Sequence, residues 1–279
     1  MKIATPKDVK RIALCGDIHR DLYSLEWAVD TAAHFDCQEL YALGDFGFFN
    51  YAKSWKKYIN HIVDELTKRN LVLNWIDGNH EHFELMTRLG LFFSVEDAHD
   101  VDPMLLPMPN TPLGIFNYIQ RGTLLRRGPH DTAILGLGGA YSIDRTPTGL
   151  GYDWFQEEEI RYIDLHKALR HPHVDVALTH DVAESGFQRA LQLSTQTLEE
   201  AERKYLENDN IFPGARSNRM ALEAVLEQYS PRLWFHGHYH YSYQSQVNTT
   251  TFVGLSNNTR PGWMAILDLT EPEIKVTIV

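Results

Sequence analysis

Polar side chains that could bind metal ions stand directly after short apolar runs of this sequence. Asp17 and His19 follow the run RIALC, and Asp45 follows LYAL and a glycine. Alternate side chains of an extended segment face the same side, so one metal ion could bind both Asp17 and His19. The carboxylate of Asp45 has two oxygens and could therefore bridge two cations.

Further candidate ligands follow three other apolar runs. They are Asn79 and His80 in IDGNH, His180 after VDVALT, and His238 and His240 in HGHYH. A set that mixes imidazole nitrogens with carboxylate and amide oxygens suits Mn, Fe, Zn or Ni better than Ca or Mg. Taken singly, the aspartates and the asparagine could instead form turns or cap helices. A closed structural zinc site fits poorly, because the set exceeds four ligands and contains no cysteine.

The order of these residues resembles the pattern of the calcineurin-like metallophosphoesterase superfamily. That pattern is D-x-H, GD, GNH with a following acidic residue, a lone H, and GHxH. The matching residues here are Asp17 and His19, Asp45, Asn79 with His80 and Glu81, His180, and His238 with His240. These blocks extend from residue 15 to residue 240, so the resemblance covers most of the chain. The last block begins after His236, which we therefore expect to be a core residue and not a ligand.

The resemblance implies a centre of two divalent metal ions. One ion would be bound by Asp17, His19, Asp45 and His240. The other ion would be bound by Asp45, Asn79, His180 and His238. Asp45 would then bridge the two ions. Among the metals that suit these ligands we expect Mn²⁺ first, with Fe, Zn and Ni as alternatives.

The resemblance gives His80 a different role from that of the metal ligands. A hydroxide between the two ions would attack phosphorus in line, and His80 would protonate the departing alkoxide. Imidazole suits this task because it titrates near neutral pH. Glu81 and Asp181 are candidates to orient His80, on the ground of their position next to the motifs.

The second block departs from that of the serine/threonine protein phosphatases in the same superfamily. Those enzymes read GDxVDRG, whereas this chain reads GDFGFFN, with Phe48 and Phe49 in place of the Asp and Arg. In those relatives the arginine helps to hold phosphate, so we do not expect protein phosphatase activity. Arg20, Phe48 and Phe49 are candidate substrate contacts. Arg20 could touch the phosphate, and the two phenylalanines could form an apolar shelf for a nucleobase or an aryl group.

The candidate ligands need a scaffold that brings the ends of several strands together. Each apolar run opens with four to six largely apolar residues, which is typical of a strand buried on both faces. Helix-like stretches at residues 24–35, 51–69 and 154–169 alternate with these runs and predict an α/β core. In such sheets ligands bind beyond the carboxyl ends of the strands. The resemblance implies a four-layer α/β/β/α sandwich with two mixed sheets.

We expect the whole chain, residues 1–279, to form one domain with a helical insertion. Further strands are predicted in the middle of the chain and in a closing meander from residue 249 onward. Residues 181–229 hold two or three amphipathic helices between two of the strands that carry ligands. This insertion could form a lid over the site or decorate the surface.

The amino-acid composition of the chain limits the partners and the cellular location that we expect. The net charge of −11 argues against a non-specific grip on nucleic acid, which requires a basic surface. The N-terminus lacks the apolar segment of a signal peptide, and no apolar run reaches the length of a membrane span. The two cysteines, Cys15 and Cys37, do not form a CxxC pair and predict reduced thiols. We therefore expect a cytoplasmic protein without membrane segments.

From these observations we expect a metal-dependent phosphodiesterase that acts on a small substrate such as a cyclic nucleotide. Two divalent ions and two ligand carboxylates leave a formal charge of about +2, which suits a compact phosphate ester. A phosphomonoesterase and a nucleotide pyrophosphohydrolase are alternatives within the superfamily. A DNA nuclease is a third alternative, which the net charge disfavours. A non-catalytic scaffold stays open as a different class, although such relatives tend to lose ligands that this chain keeps.

Overall fold

Two β-sheets packed face to face form the centre of this computed structural model. The structure describes residues 4–47, 55–93, 102–109, 111–112, 114–143, 145–151 and 153–279. The strands are β1 (Arg11–Cys15), β2 (Glu39–Leu43), β3 (Val72–Ile76), β4 (Leu105–Pro107), β5 (Phe116–Ile119), β6 (Thr123–Arg127), β7 (Thr132–Leu137), β8 (Val176–Thr179), β9 (Leu233–His236), β10 (Tyr243–Val247), β11 (Thr250–Gly254), β12 (Met264–Asp268) and β13 (Lys275–Ile278).

Helices cover the outer face of each sheet. They are α1 (Leu22–His34), α2 (Trp55–Arg69), α3 (Phe83–Arg88), α4 (Tyr162–Ala168), α5 (Glu184–Thr197), α6 (Glu200–Ile211) and α7 (Pro213–Tyr229). Two short 3₁₀ helices span Pro6–Asp8 and Gln156–Glu158. Within the part of the chain that the structure describes, no helix has both the length and the apolar composition needed to cross a bilayer.

Both sheets are mixed, as predicted. The first has the order β13–β12–β1–β2–β3–β5–β4. In this sheet β1, β2, β3 and β5 run parallel. The second has the order β10–β11–β9–β8–β7–β6, with β11, β9, β8 and β7 parallel. The carboxyl ends of the parallel strands therefore lie along one edge of each sheet, where ligands bind in α/β proteins.

The strands are apolar on both faces because each sheet is covered on both sides. Between the sheets, Leu14 and Ile76 of the first pack with Leu178 and Phe235 of the second. Helices α1 and α2 cover the outer face of the first sheet, and α5 and α7 cover that of the second. This arrangement is the four-layer α/β/β/α sandwich that the resemblance implied.

The helix predicted at residues 154–169 is wrong in its first half. Only Tyr162–Ala168 is α-helical, and a single 3₁₀ turn precedes it. The buried carboxylate of Glu158 accepts hydrogen bonds from the backbone N–H groups of Ser142 and Phe155 and from the side chain of Arg145. These bonds connect the segment to the loop after β7, which a continuous helix could not reach. The predicted helix at residues 51–69 is described from Trp55 onward.

The buried guanidinium of Arg121 connects Asp77, the residue after β3, to Asp164 in α4. It donates to Asp77 at 2.6 and 2.9 Å and to Asp164 at 3.2 Å. We expect Arg121→Met to lower the free energy of unfolding by about 3–5 kcal/mol, because Asp77 would keep a buried charge without its cation. Urea denaturation measures the change. The partly exposed Arg126 on β6 is the control: Arg126→Met is expected to cost less than about 1 kcal/mol, and equal losses of stability in the two variants would contradict this account.

Candidate metal centre

The predicted ligands come together at the edge where the parallel strands of both sheets end. From the first sheet come the residues that follow β1, β2 and β3, namely Asp17 with His19, Asp45, and Asn79. From the second sheet come the residues that follow β8 and β9, namely His180, and His238 with His240. Asp17, Asp45, Asn79, His180 and His238 are buried, whereas His19 and His240 are partly exposed.

Asp17, His19 and His240 form one half of the centre. The Nε2 atom of His240 lies 2.9 Å from Asp17 Oδ2, and that of His19 lies 3.7 Å from the same oxygen. The two Nε2 atoms are 3.2 Å apart. The three ligand atoms thus lie within 4.8 Å of one another, a spacing that one ion with bonds of about 2.0–2.2 Å can span.

Asp45, Asn79 and His180 form the second half. His180 Nε2 lies 3.4 Å from Asp45 Oδ1 and 3.2 Å from Asn79 Oδ1. His180 Nδ1 lies 2.7 Å from the carbonyl oxygen of Leu43, a contact that fixes the proton on Nδ1 and leaves the lone pair of Nε2 for a metal. The amide nitrogen of Asn79 donates to Ser142 Oγ at 3.0 Å, which turns the amide oxygen toward His180.

The carboxylate of Asp45 lies between the two halves. Its Oδ1 is the oxygen nearest to His180, and its Oδ2 lies 3.9 Å from His19 Nε2. One oxygen therefore faces each half, as a bridging ligand requires. Burial alone would lower the pKa of His180, but Asp45 and Asp17 outweigh it and raise that pKa to about 10. The two buried carboxylates thus attract positive charge to this point.

His238 has a buried ring nitrogen that could bind a metal ion. Its backbone N–H donates to Asp17 Oδ1 at 3.1 Å, and its ring lies 5.1 Å from that of His180. Burial and then His180 hold the pKa of His238 well below its usual value, so the ring is neutral. Among the described residues, none gives the buried Nε2 atom a hydrogen bond. A buried polar atom of this kind fits a divalent cation.

Four of the predicted ligands have a left-handed backbone conformation, which residues other than glycine rarely adopt. They are His19, Asp45, His238 and His240, with φ of +49°, +45°, +67° and +51°. Such residues concentrate at functional sites, where the surrounding structure supports the strain. Gly44 has φ of +90°, and a Cβ atom there would lie 2.2 Å from His180 Nδ1. Gly237 is equally constrained, since its Cβ would lie 2.2 Å from Asp17 Oδ1.

His80 lies beside the centre and is partly exposed. Its backbone N–H donates to Asp45 Oδ1 at 2.9 Å, and its ring centroid is 5.6 Å from that of His19. The imidazole thus lies beside the predicted ligands, and its role as a general acid stays a prediction.

Glu81 and Asp181, the two candidates for orienting His80, both support loops of the centre. The buried carboxylate of Glu81 accepts from the backbone N–H of Phe46 at 2.7 Å and from that of Gly78 at 2.6 Å, so it joins the loops after β2 and β3. Burial and then Asp45 raise the pKa of Glu81 to about 8. Asp181 accepts from the hydroxyl of Tyr239 at 2.6 Å. That either residue orients His80 stays a prediction.

Of the three candidate substrate contacts, only Arg20 lies among the described residues. The guanidinium of Arg20 lies 5.6 Å from the ring centroid of Tyr58, and both residues line a groove of about 360 Å³ with Lys57 and His61. Phe48 and Phe49 lie outside the described residues. A role of these three side chains in substrate binding therefore stays a prediction.

His236 lies beneath the centre, in β9. Its Nε2 atom is 2.7 Å from the hydroxyl of Tyr243, and its Nδ1 atom is 2.9 Å from the carbonyl oxygen of Gly237. Burial lowers the pKa of His236 to about 4. Both ring nitrogens are thus engaged within the core, away from the positions of the other two histidines in HGHYH.

Helix α6 brings two residues to the centre that the sequence analysis missed. The ring of Tyr205 is parallel to that of His240, with 5° between the planes and 6.1 Å between the centroids. Asp209, one turn later, lies with Oδ1 4.0 Å from His238 Nε2. Their spacing of four residues places both on one face of the helix. The segment EAERKYLENDN carries this spacing, but its many exposed charges conceal it. Whether residues 181–229 form a lid over the site stays a prediction.

A comparison of the sequence with known families agrees with the motifs. The model of the family described as calcineurin-like phosphoesterase matches residues 10–242, which is most of the chain. Among curated proteins, none matches the sequence.

Solved structures with a similar fold include TT1561 of Thermus thermophilus. It is 13% identical over 97% of this chain and 99% of its own length, with a TM-score of 0.52. Another is GAP50, described as the anchor in the inner membrane complex of Plasmodium. It is 10% identical over 97% of this chain and 84% of its own length, also with a TM-score of 0.52. At these identities the likeness concerns the fold alone.

Proposed function

This chain belongs to the calcineurin-like phosphoesterase family, and we propose that this metal-dependent phosphoesterase hydrolyses a phosphodiester bond of a small substrate at a centre of two metal ions. The observation that carries the proposal is the position of Asp45, whose two carboxylate oxygens face the two halves of the ligand set. A single ion would leave one half unused. Two ions bridged by Asp45 would use both.

In this proposal each ion would have four ligands. The first would be held by Asp17, His19, Asp45 and His240. The second would be held by Asp45, Asn79, His180 and His238. When bound, two divalent cations polarise phosphoryl oxygens and lower the pKa of a water molecule between them. We propose Mn²⁺ as the metal, because the set mixes imidazole nitrogens with carboxylate and amide oxygens.

The protein supplies the orientation of the ligands and the proton for the leaving group. The contact of His180 Nδ1 with the Leu43 carbonyl and the Asn79–Ser142 hydrogen bond would orient the ligand atoms toward an ion. We propose that the partly exposed His80 protonates the leaving oxygen. Its backbone hydrogen bond to Asp45 would hold it at a constant distance from the centre. Such a general acid contributes about 10²–10⁴-fold to the rate.

The size and charge of the site support a small diester as substrate. The rings of Tyr205 and His240 are parallel with centroids 6.1 Å apart, so α6 lies next to the first half of the centre. A net charge of −11 does not favour a long nucleic acid, whose binding requires a basic surface. A cyclic nucleotide is small enough and carries a single negative charge.

We propose that the protein works in a reducing compartment, the cytoplasm, since Cys15 and Cys37 are free and buried.

A pair of chromogenic esters tests the substrate class. With Mn²⁺ present, we expect bis-p-nitrophenyl phosphate to be hydrolysed with a higher kcat/KM than p-nitrophenyl phosphate. Among natural esters, we expect 2′,3′- or 3′,5′-cyclic nucleotides to be turned over faster than the corresponding nucleoside monophosphates. Equal or faster turnover of the monoesters would contradict the diester proposal and favour a phosphomonoesterase. Fewer than one tightly bound metal per chain, with no activity after Mn²⁺ is added, would favour a non-catalytic scaffold.

A further inference from the structure

The loops after β8 and β9 carry three of the predicted ligands and are joined by a buried hydrogen bond. Tyr239, which stands between His238 and His240, donates its hydroxyl to Asp181 Oδ1 at 2.6 Å. Asp181 directly follows His180, and both partners of the bond are buried. The bond therefore connects the neighbour of one predicted ligand to the residue between the two others.

The carboxylate of Asp181 is held in place by two further donors. Its Oδ1 accepts from the backbone N–H of Val182 at 2.7 Å, and its Oδ2 accepts from the side-chain amide of Asn218 in α7 at 2.7 Å. The amide oxygen of Asn218 in turn accepts from the backbone N–H of Ile160 at 2.8 Å. Since both oxygens of Asp181 are engaged, the hydroxyl of Tyr239 meets an acceptor with a fixed orientation.

An ion-pair cluster on the insertion helices supports Tyr239 from a second direction. The hydroxyl lies 3.3 Å from Asp209 Oδ2 in α6, and the ring packs on Phe187 of α5 with 5.2 Å between the centroids. The buried Arg219 of α7 forms ion pairs with both Asp209 and Glu184. Because breaking a buried ion pair is costly, this cluster resists a displacement of Tyr239.

The predicted ligand beside Tyr239 has a backbone conformation that needs such support. His238 has φ of +67°, and a conformation of this kind persists only where the surrounding contacts determine it. The hydrogen bond of the next residue, Tyr239, supplies one of these contacts. The ring of His238 lies 5.1 Å from that of His180, whose own neighbour is the acceptor of the bond. The bond thus acts on both rings through adjacent residues.

We infer that Tyr239 is a positioning residue of the metal centre, whose hydrogen bond to Asp181 fixes the separation of His180 and His238 so that both can bind one ion. The inference rests on the proposed function, since it presupposes the ion that these two histidines would share. Residues that orient metal ligands without touching the metal contribute about 10–100-fold to metal affinity. The hydroxyl of Tyr239 is therefore expected to have an effect of this size.

Metal titration of two matched variants tests the inference. Tyr239→Phe removes the hydroxyl and keeps the ring that packs on Phe187. Tyr243→Phe removes an equally buried hydroxyl, which contacts His236 and no predicted ligand. After chelation, each protein is titrated with Mn²⁺ by calorimetry, and the bound metal is counted by elemental analysis. We expect two ions of unchanged affinity in Tyr243→Phe, whereas in Tyr239→Phe one of the two ions should bind at least about tenfold more weakly.

The outcomes separate the inference from the proposed function. If the wild type binds fewer than two ions, the two-metal proposal fails, and the inference fails with it. If the wild type binds two ions and Tyr239→Phe binds both with unchanged affinity, the inference alone is overturned. Equal weakening in the two variants would also overturn it, because the loss of any buried hydroxyl would then have the same effect.

If Tyr239→Phe does not fold, hydrogen exchange of the wild-type protein decides the matter. A hydrogen bond that positions the ligands should keep both loops ordered without metal. After chelation, amides of residues 180–183 and 237–240 should therefore exchange at rates within about tenfold of those measured with Mn²⁺. A larger gain of protection on adding Mn²⁺ would mean that the ion itself orders the ligands, and the inference would be overturned.

Discussion

Asp45→Asn is expected to abolish tight binding of at least one of the two metal ions and to lower kcat/KM by about 10³-fold or more. Asparagine keeps one oxygen but replaces the other with an amide nitrogen, which donates hydrogen bonds and cannot bind a cation. Since each carboxylate oxygen of Asp45 faces a different half of the centre, one of the two ions loses a ligand and the bridge is lost. The loss of several kcal/mol of transition-state stabilisation corresponds to the expected rate effect.

The backbone conformation of Asp45 calls for a matched control. Asp45 has φ of +45°. The exposed Asp36, two residues after the end of α1, has φ of +55° and is not one of the predicted ligands. Asp36→Asn should therefore retain two ions per chain and wild-type turnover of bis-p-nitrophenyl phosphate. Metal content and kinetics are measured on both variants after a melting curve confirms that each is folded. An Asp45→Asn protein that holds two tightly bound ions would refute the bridging role.

The strands that carry the ligands could be predicted because each has a simple sequence pattern. In β1, β2 and β3, apolar residues occupy consecutive positions, since the sheet is covered on both faces. A polar residue directly after such a run marks the strand end. Because the parallel strands of a sheet all end at the same edge, residues that are distant in sequence could be expected to meet at that edge.

The contribution of α6 could not be predicted in the same way. A helix with many exposed charges offers several acidic residues, and nothing in the sequence distinguishes Asp209 from Glu200, Glu202 or Glu207. What distinguishes it is tertiary: Arg219, from the next helix, engages one oxygen and leaves the other directed at His238. The role of Ser142, which turns the amide of Asn79, could not be predicted for the same reason, since a loop serine belongs to no periodic sequence pattern.

The misplaced helix at residues 154–169 shows how a buried charge overrides local propensity. The stretch is rich in residues that favour helices, and Glu158 alone would suit such a helix. In the fold, the carboxylate of Glu158 is buried and must be satisfied by Ser142, Phe155 and Arg145. Satisfying a buried charge is worth more than the few tenths of a kcal/mol that separate helix propensities, so the chain adopts a 3₁₀ turn there.

His80→Gln is expected to reduce kcat by about 10²–10⁴-fold for esters with alkoxide leaving groups, and by much less for p-nitrophenyl esters. An alkoxide needs a proton to depart, whereas p-nitrophenolate is stable without one. Metal content should stay at the wild-type value, because the contact of residue 80 with Asp45 is made by its backbone N–H, which glutamine retains. The measurement compares a 2′,3′-cyclic nucleotide with bis-p-nitrophenyl phosphate for both proteins, with elemental analysis of each sample.

A neighbouring histidine separates the chemical role of His80 from a structural one. His82 is buried and its Nδ1 accepts from the backbone N–H of Leu85 at the start of α3. His82→Gln should therefore lower stability by about 1 kcal/mol, the usual value of a helix cap, without changing the ratio of the two rates. If His80 is the general acid, the ratio of the rates for the cyclic nucleotide and for bis-p-nitrophenyl phosphate should change in His80→Gln and stay the same in His82→Gln. If His80→Gln slowed both esters equally, His80 would act by binding the phosphate, and the proton for the leaving group would have to come from another residue.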